Sequence, residues 1–274
     1  MTSNSIKQGS NKEVLGTENW QYVKKRISGI MLTLCSILGG LTIWQLASTQ
    51  VSPLFLPSPM TTFHGFYELY EDGTLVTSVI ASSLRIFTGW LAGVTIGIPL
   101  GMGMGYFPLI RRLLDPYIEF FRFVPPIAFV TLAVIWLGPG EASKVALIFY
   151  TTVFIVTLNT LAGTLAVPDL RIKASQSLGA NPLQALLTVI VPSTVPYMVT
   201  GARIAMGNSF LTIVSAEIVA AQEGLGALIW NARNFGRTEW VFAGILTLGL
   251  LGFLFDRVLQ FVVRRVLKKY NISM

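Results

Sequence analysis

Charge is what this sequence has least of: 12% of its 274 residues are Asp, Glu, Lys or Arg, about half of the roughly 25% found in soluble domains. A chain so poor in charge cannot cover a water-facing surface, which excludes an ordinary soluble enzyme, a disordered chain and a coiled coil. Cys35 is the only cysteine and lies inside the first apolar run, so a disulfide framework and a thiolate metal site are excluded as well. His64 is the only histidine; it sits in an amphipathic stretch, where an interfacial side chain and no metal site is expected. What the chain does have is 53% hydrophobic residues. At about 20 apolar residues per spanning helix, its length admits about five to seven membrane passes and no large soluble domain.

The net charge of +7 is concentrated at the two ends and between apolar runs. That is the pattern of cytoplasmic loops beside an anionic leaflet, and no nucleic-acid partner is expected. Residues 1–26 are read as a polar cytoplasmic segment ending in Lys24, Lys25 and Arg26, and 27–263 as a single transmembrane domain. Residues 264–274 form a basic cytoplasmic tail. Six spans are expected at 27–49, 84–107, 117–137, 143–165, 195–221 and 240–263, with an interfacial helix around Phe63, Phe66, Tyr67 and Tyr70. If the N-terminus is cytoplasmic, thirteen of the twenty Lys and Arg lie on inside segments, and Arg85, Lys144, Arg233 and Arg237 lie outside. The asymmetry places both termini inside.

Gly89, Gly93, Gly97, Gly101 and Gly105 recur at a four-residue step in the second span, which predicts a ridge where another backbone comes close. Pro99 in the same run predicts a kink, and the pair Pro125 and Pro126 predicts a broken or widened third span. Between spans four and five, DLRIKASQSLGANPLQALLTVIVP predicts a helix from Arg171 to Leu178 stopped by Gly179, and a second helix opened by Asn181 and Pro182. Two short helices with few charges make a compact knob suited to a groove on a partner.

This segment resembles the coupling loop of ATP-binding-cassette importer permeases, whose pattern is Glu-Ala-Ala, three residues, Gly, nine residues, Ile, one residue, Leu-Pro. Lys173, Ala174 and Ser175 stand at the Glu-Ala-Ala positions, Gly179 at the Gly, Val189 at the Ile, and Val191 with Pro192 at the Leu-Pro. Lys173 replaces the acidic residue, so no acidic role is assigned there. VSPLFLPSP at 51–59, LRIFTGWLAGVTIGIPLGMGMG at 84–105, FVPPIAFVTLAVIWLGPGEASK at 123–144 and GARIAMGNS at 201–209 are similar to the branch importing nitrate, sulfonates, taurine and bicarbonate. Within it the likeness is closest to taurine permeases.

The resemblance implies an all-α integral membrane protein of the type I importer permease fold, with a cytoplasmic coupling helix between the fourth and fifth of six spans. It implies a transport subunit in the bacterial inner membrane, multi-pass, and not an enzyme. The implied partners are a second copy of the chain, two cytoplasmic ATPase subunits and an extracytoplasmic substrate-binding protein. No cofactor is expected in this chain; ATP and Mg would be bound by the ATPases, since no GxxxxGK[ST] loop is present. The ATPase contact would be made by Lys173, Ala174, Ser175, Gln176, Ser177, Leu178, Gly179, Ala180, Asn181 and Pro182. The cargo would be taurine first, nitrate or bicarbonate next, with another small organic solute as the alternative. A passive channel and an intramembrane enzyme are further classes, against which stand the coupling-type knob and the lack of a catalytic constellation.

Charges inside a span usually face protein or water. Two readings stand for Arg122 and Glu217: they pair with each other or satisfy carbonyls freed by a proline, or they line a translocation pathway with Pro125 and Pro126. Two also stand for Gln222 to Gly226, as a turn closing span five or as an external gate.

Overall fold

A computed structural model describes residues 31–267, and the chain divides into two compact units, the division falling between Thr62 and Phe63 of the sequence. The expected polar segment 1–26, the first residues of span one and the end of the basic tail lie outside the described residues. In the first unit, α1 (Met31–Ser48) is long and apolar enough to cross a bilayer. Trp44 Nε1 donates to the Pro57 carbonyl at 3.0 Å, tying the end of α1 to the proline-rich loop that follows.

The helix expected around Phe63 is α2 (Pro59–Glu71). Then come α3 (Thr74–Tyr106), α4 (Pro108–Phe121), a 3-10 turn (Pro126–Phe129) leading into α5 (Val130–Leu137), and α6 (Glu141–Leu165). The short helices α7 (Asp169–Ser177) and α8 (Pro182–Ala185) precede α9 (Val191–Ala220), α10 (Leu225–Asn234) and α11 (Thr238–Val266). The fold is all-α among the described residues. Among the described residues five helical runs are long and apolar enough to span a membrane, and a sixth crossing exists if α4 and the 126–137 run, bent by 91° against each other, count as one. The diproline break is therefore present, lying between Phe121 and Pro126.

Two boundaries differ from expectation. α3 begins at Thr74, ten residues before 84, so Arg85 is inside a span rather than in an outside loop; Lys144 likewise lies within α6 and is buried. The fifth span does not wait until 195, because Pro182–Ala220 is one helical run that passes through Pro192 and Pro196. A proline ring clashes with the carbonyl four residues back, and here a π-turn at Leu186–Ile190, closed by Val191 N–H to the Leu186 carbonyl, widens the helix just before Pro192. α3 likewise continues through Pro99.

The glycine ridge sets the packing. Gly89, Gly93, Gly97, Gly101 and Gly105 press against Ile148, Thr152, Val156, Thr160 and Thr164 of α6, a constant offset of 59 residues. A constant offset means that α3 and α6 run parallel, so the α4 to α5 segment must recross between them. α9 returns antiparallel: Gly163 meets Tyr197, and Gly201 meets Asn159. Ile86, Trp90, Ile148, Val156, Ala205, Met206, Phe210 and Ile213 fill the three-helix core, and Trp90 Nε1 donates to the Ala202 carbonyl at 2.8 Å.

A Cβ at Gly101 would stand 2.4 Å from the Thr157 carbonyl oxygen, a backbone atom, whereas one at Gly103 would meet only Ile110 Cδ1 at 3.9 Å. Gly101→Ala is expected to cost about 1–3 kcal/mol by overpacking. Gly103→Ala should be neutral or stabilising by about 0.5–1 kcal/mol. Thermal unfolding of the purified variants in detergent checks the contrast.

Candidate functional site

The knob forms as its sequence dictates. Gly179 takes a φ of +92°, the left-handed conformation that ends α7, and a side chain there would be strained even though the space is open. Asn181 then caps α8: its side chain accepts from Gln184 N–H and the Gln184 side chain accepts from Asn181 N–H, both at 2.8 Å. Lys173, Ala174, Gln176, Ser177, Asn181 and Pro182 are exposed, and Ser175 and Ala180 are half-buried. Leu170, Leu178 and Leu183 are exposed by 78%, 90% and 62%, so the knob presents leucines alongside the exposed Asp169, Arg171 and Lys173.

At the other end of α6 stands a buried ion-pair cluster. Arg85 Nη1 donates to Glu217 Oε1 and to the Glu223 carbonyl, both at 2.7 Å, while its Nε and Nη2 hold the Glu141 carboxylate. The second oxygen of Glu217 accepts from Gly226 N–H at 2.8 Å, and Ser82 Oγ donates into the same carboxylate. Lys144 pairs with Glu141 at 3.2 Å. Gly224, with a φ of +128°, lies so close that a Cβ would sit 2.4 Å from the Glu217 carboxyl. Residues 222–226 thus form a turn folded over Glu217, closing α9 and opening α10. An adjoining cavity of about 330 Å³ is lined by Arg85, Glu141, Lys144 and Glu223, whose charges cancel. The 25 residues of α6 separate this cluster from the knob by roughly 37 Å at 1.5 Å per residue.

The expected Arg122–Glu217 pair does not form. Arg122 caps α4 at the break, where Glu119 lies one turn back and pairs with it at 2.7 Å, and its guanidinium stacks over Phe123. Glu217 is fully buried and takes Arg85 instead, because the longer α3 carries that arginine into the span. Arg122, Pro125 and Pro126 stay together at the break, and Glu217 belongs to a separate cluster.

Pro125 and Pro126 lack N–H groups, so the carbonyls of the turn before them lose helical partners. Tyr150 of α6 supplies one: its hydroxyl lies 2.6 Å from the Phe121 carbonyl oxygen and 3.2 Å from that of Val124. Beside the break is a cavity of about 210 Å³ lined by Pro126, Ile127, Thr151, Asn208, Leu211, Thr212 and Ser215. Thr151 and Thr212 share a hydrogen bond of 3.0 Å across it. Sequence reasoning missed Arg85, Tyr150 and this hydroxyl-lined face. The available signal was the set of polar residues at 208, 212 and 215, which share one face at helical spacing.

Residues 93–268 match the family model described as binding-protein-dependent transport system inner membrane component. The chain is 38% identical to the taurine transport system permease protein TauC of Escherichia coli strain K12, over 90% of this chain and 92% of that protein. It is 30% identical to the bicarbonate transport system permease protein CmpB of Synechococcus elongatus, over 92% and 94%. Among solved structures, the fold is similar to a chain of the inward-facing MetNI methionine ABC transporter, with a TM-score of 0.61 at 20% identity, covering 72% of this chain and 96% of that one.

Removing one partner of a buried ion pair costs about 3–5 kcal/mol, and removing both for apolar groups is often neutral. Arg85→Met is therefore expected to lower membrane accumulation and thermal stability sharply. The double variant Arg85→Met with Glu217→Met should recover part of the loss, as immunoblots of membranes and unfolding in detergent would read.

Proposed function

Since the chain belongs to the family of binding-protein-dependent transport system inner membrane components, a multi-pass membrane family of transport components rather than enzymes, we propose that it is the permease subunit of an ATP-driven importer. Its cargo is a small anion or sulfonate, taurine first and nitrate or bicarbonate next, following its identity to the taurine and bicarbonate permeases. Two copies of the chain frame the pathway, two cytoplasmic ATPases carry ATP and Mg, and a substrate-binding protein delivers cargo from outside. The chain itself holds no cofactor.

The observation that carries this reading is the knob at 169–185: two short helices, the first ended by a left-handed Gly179 and the second opened by a capping box at Asn181, that expose Leu170, Leu178 and Leu183 at one end of α6. Apolar side chains on a short helical projection suit a groove in a partner, and a displacement there enters the spans directly, since α7 follows α6 and α8 runs on into α9. Lys173 to Pro182 form this contact in our reading. Arg122, Pro125 and Pro126 belong to the pathway wall at the break, and Glu217 is assigned to holding the outer end together. Both termini face the cytoplasm of the bacterial inner membrane: with Arg85 and Lys144 inside spans, Arg233 and Arg237 are the basic residues left on outside segments.

Leu178 is 90% exposed, so Leu178→Asp leaves the fold intact while placing a charge in the apolar contact. This variant should reach the membrane at normal levels, fail to co-purify with the ATPase and lose uptake of labelled taurine by about tenfold or more. Full ATP-driven uptake with the ATPase still bound would refute the reading. Parallel uptake of taurine, nitrate and bicarbonate by the reconstituted wild-type complex identifies the cargo.

A further inference from the structure

We propose that the cavity beside the diproline break is a transient binding site for the transported solute, which it grips at an oxoanion head through uncharged donors. The inference rests on the importer reading and adds to it a place inside this chain where the cargo is held.

Irregular backbone at membrane depth is tolerated where it is packed against protein or lines a water-filled cavity. The 122–126 break does both: Tyr150 packs behind it and satisfies its carbonyls, and Pro126 and Ile127 face the cavity. Adjacent residues of α6 thus serve its two sides, Tyr150 fixing one wall and Thr151 forming the other. Thr151 lies ten residues into the 25-residue α6, so the site stands near the middle of the crossing.

The polar lining is Thr151, Asn208, Thr212 and Ser215, and among the described residues no charged side chain lines it. Arg122, at the same break, is held by Glu119. The volume of about 210 Å³ falls below the roughly 300–1,000 Å³ of pockets for drug-sized ligands and fits a small solute. Between solutes the hydroxyls satisfy one another and their own helices: Thr151 and Thr212 bond at 3.0 Å, and Thr212 Oγ1 also donates to the Asn208 carbonyl at 3.0 Å. A hydroxyl rotates about its C–O bond, so these donors can turn to sulfonate, nitrate or bicarbonate oxygens and turn back afterwards. Charge-assisted contacts to a fixed arginine would hold an anion more tightly. Neutral donors hold it weakly enough to release, which a passage needs.

The test uses the full complex with its ATPase and binding protein in proteoliposomes, comparing wild type with Thr151→Val/Thr212→Val, which keeps shape and removes both hydroxyls, and with Asn208→Asp, which keeps shape and adds a negative charge. Loss of hydrogen bonds to a charged solute is expected to lower taurine or nitrate uptake by about tenfold in each variant, with ATP hydrolysis stimulated by the loaded binding protein staying within about twofold of wild type. Wild-type uptake in both variants overturns the site and leaves the importer reading intact. Loss of stimulated hydrolysis alongside uptake also overturns it, by placing these residues in coupling. Failure of the wild-type complex to import any of the solutes would instead count against the importer reading itself.

Discussion

The contact between Arg85 and Glu217 is the constraint on which the rest of the structure leans. Two charges lie at 5% and 0% exposure inside a helical bundle, where desolvation costs several kcal/mol per ion unless every donor and lone pair is used. They are used. The guanidinium fork serves Glu141, Glu217 and the Glu223 carbonyl, and the carboxylate takes Ser82, Arg85 and Gly226. One arginine thereby fastens α3, α6, α9 and the turn into α10. Those elements belong to the part of the chain that includes the close glycine contacts, so the cluster fixes at one end the register that the glycines maintain along the length.

Against that fixed assembly, α4 and α5 are the exception. Their two parts bend by 91° against each other, with Ile118 of α4 packed beside Met104 and Leu161, Val130 and Ala133 of α5 beside Leu147 and Ala216, and the Tyr150 hydroxyl at the break; the cavity opens beside them. The bundle thus joins a closely packed parallel pair to a recrossing segment whose helix is broken in the middle. The knob is continuous with α6 and α9, and the broken segment interrupts the regular helices beside the cavity.

Much of this was legible in the sequence, and the exceptions share a cause. The four-residue glycine step, the Gly179 stop and the Asn181, Pro182 start are local signals with local meanings, and α3, α7 and α8 follow them. The diproline reads as a break because two missing N–H groups leave a helix no alternative. Pro192 misled because its effect depends on the π-turn before it, which has no signature in residue type. Arg85 was misplaced for a different reason: Ser82, Ser83 and the arginine look like loop residues until Glu217, 132 positions away, is known to lie opposite. Tyr150 is similarly silent, since an apolar helix gives no hint that one phenol faces a broken backbone.

The constant offset of 59 between the glycines and their partners also bears on how such a chain can change in length. One residue inserted within α3 or α6 would rotate everything beyond it by about 100°, moving all downstream glycines off their partners at a stroke. The same insertion between Phe107 and Gly140 would change the offset but not the phase of either helix. Between Gly89 and Thr164, length can therefore vary without loss of register only in the recrossing segment, the stretch that also shapes the wall of the cavity.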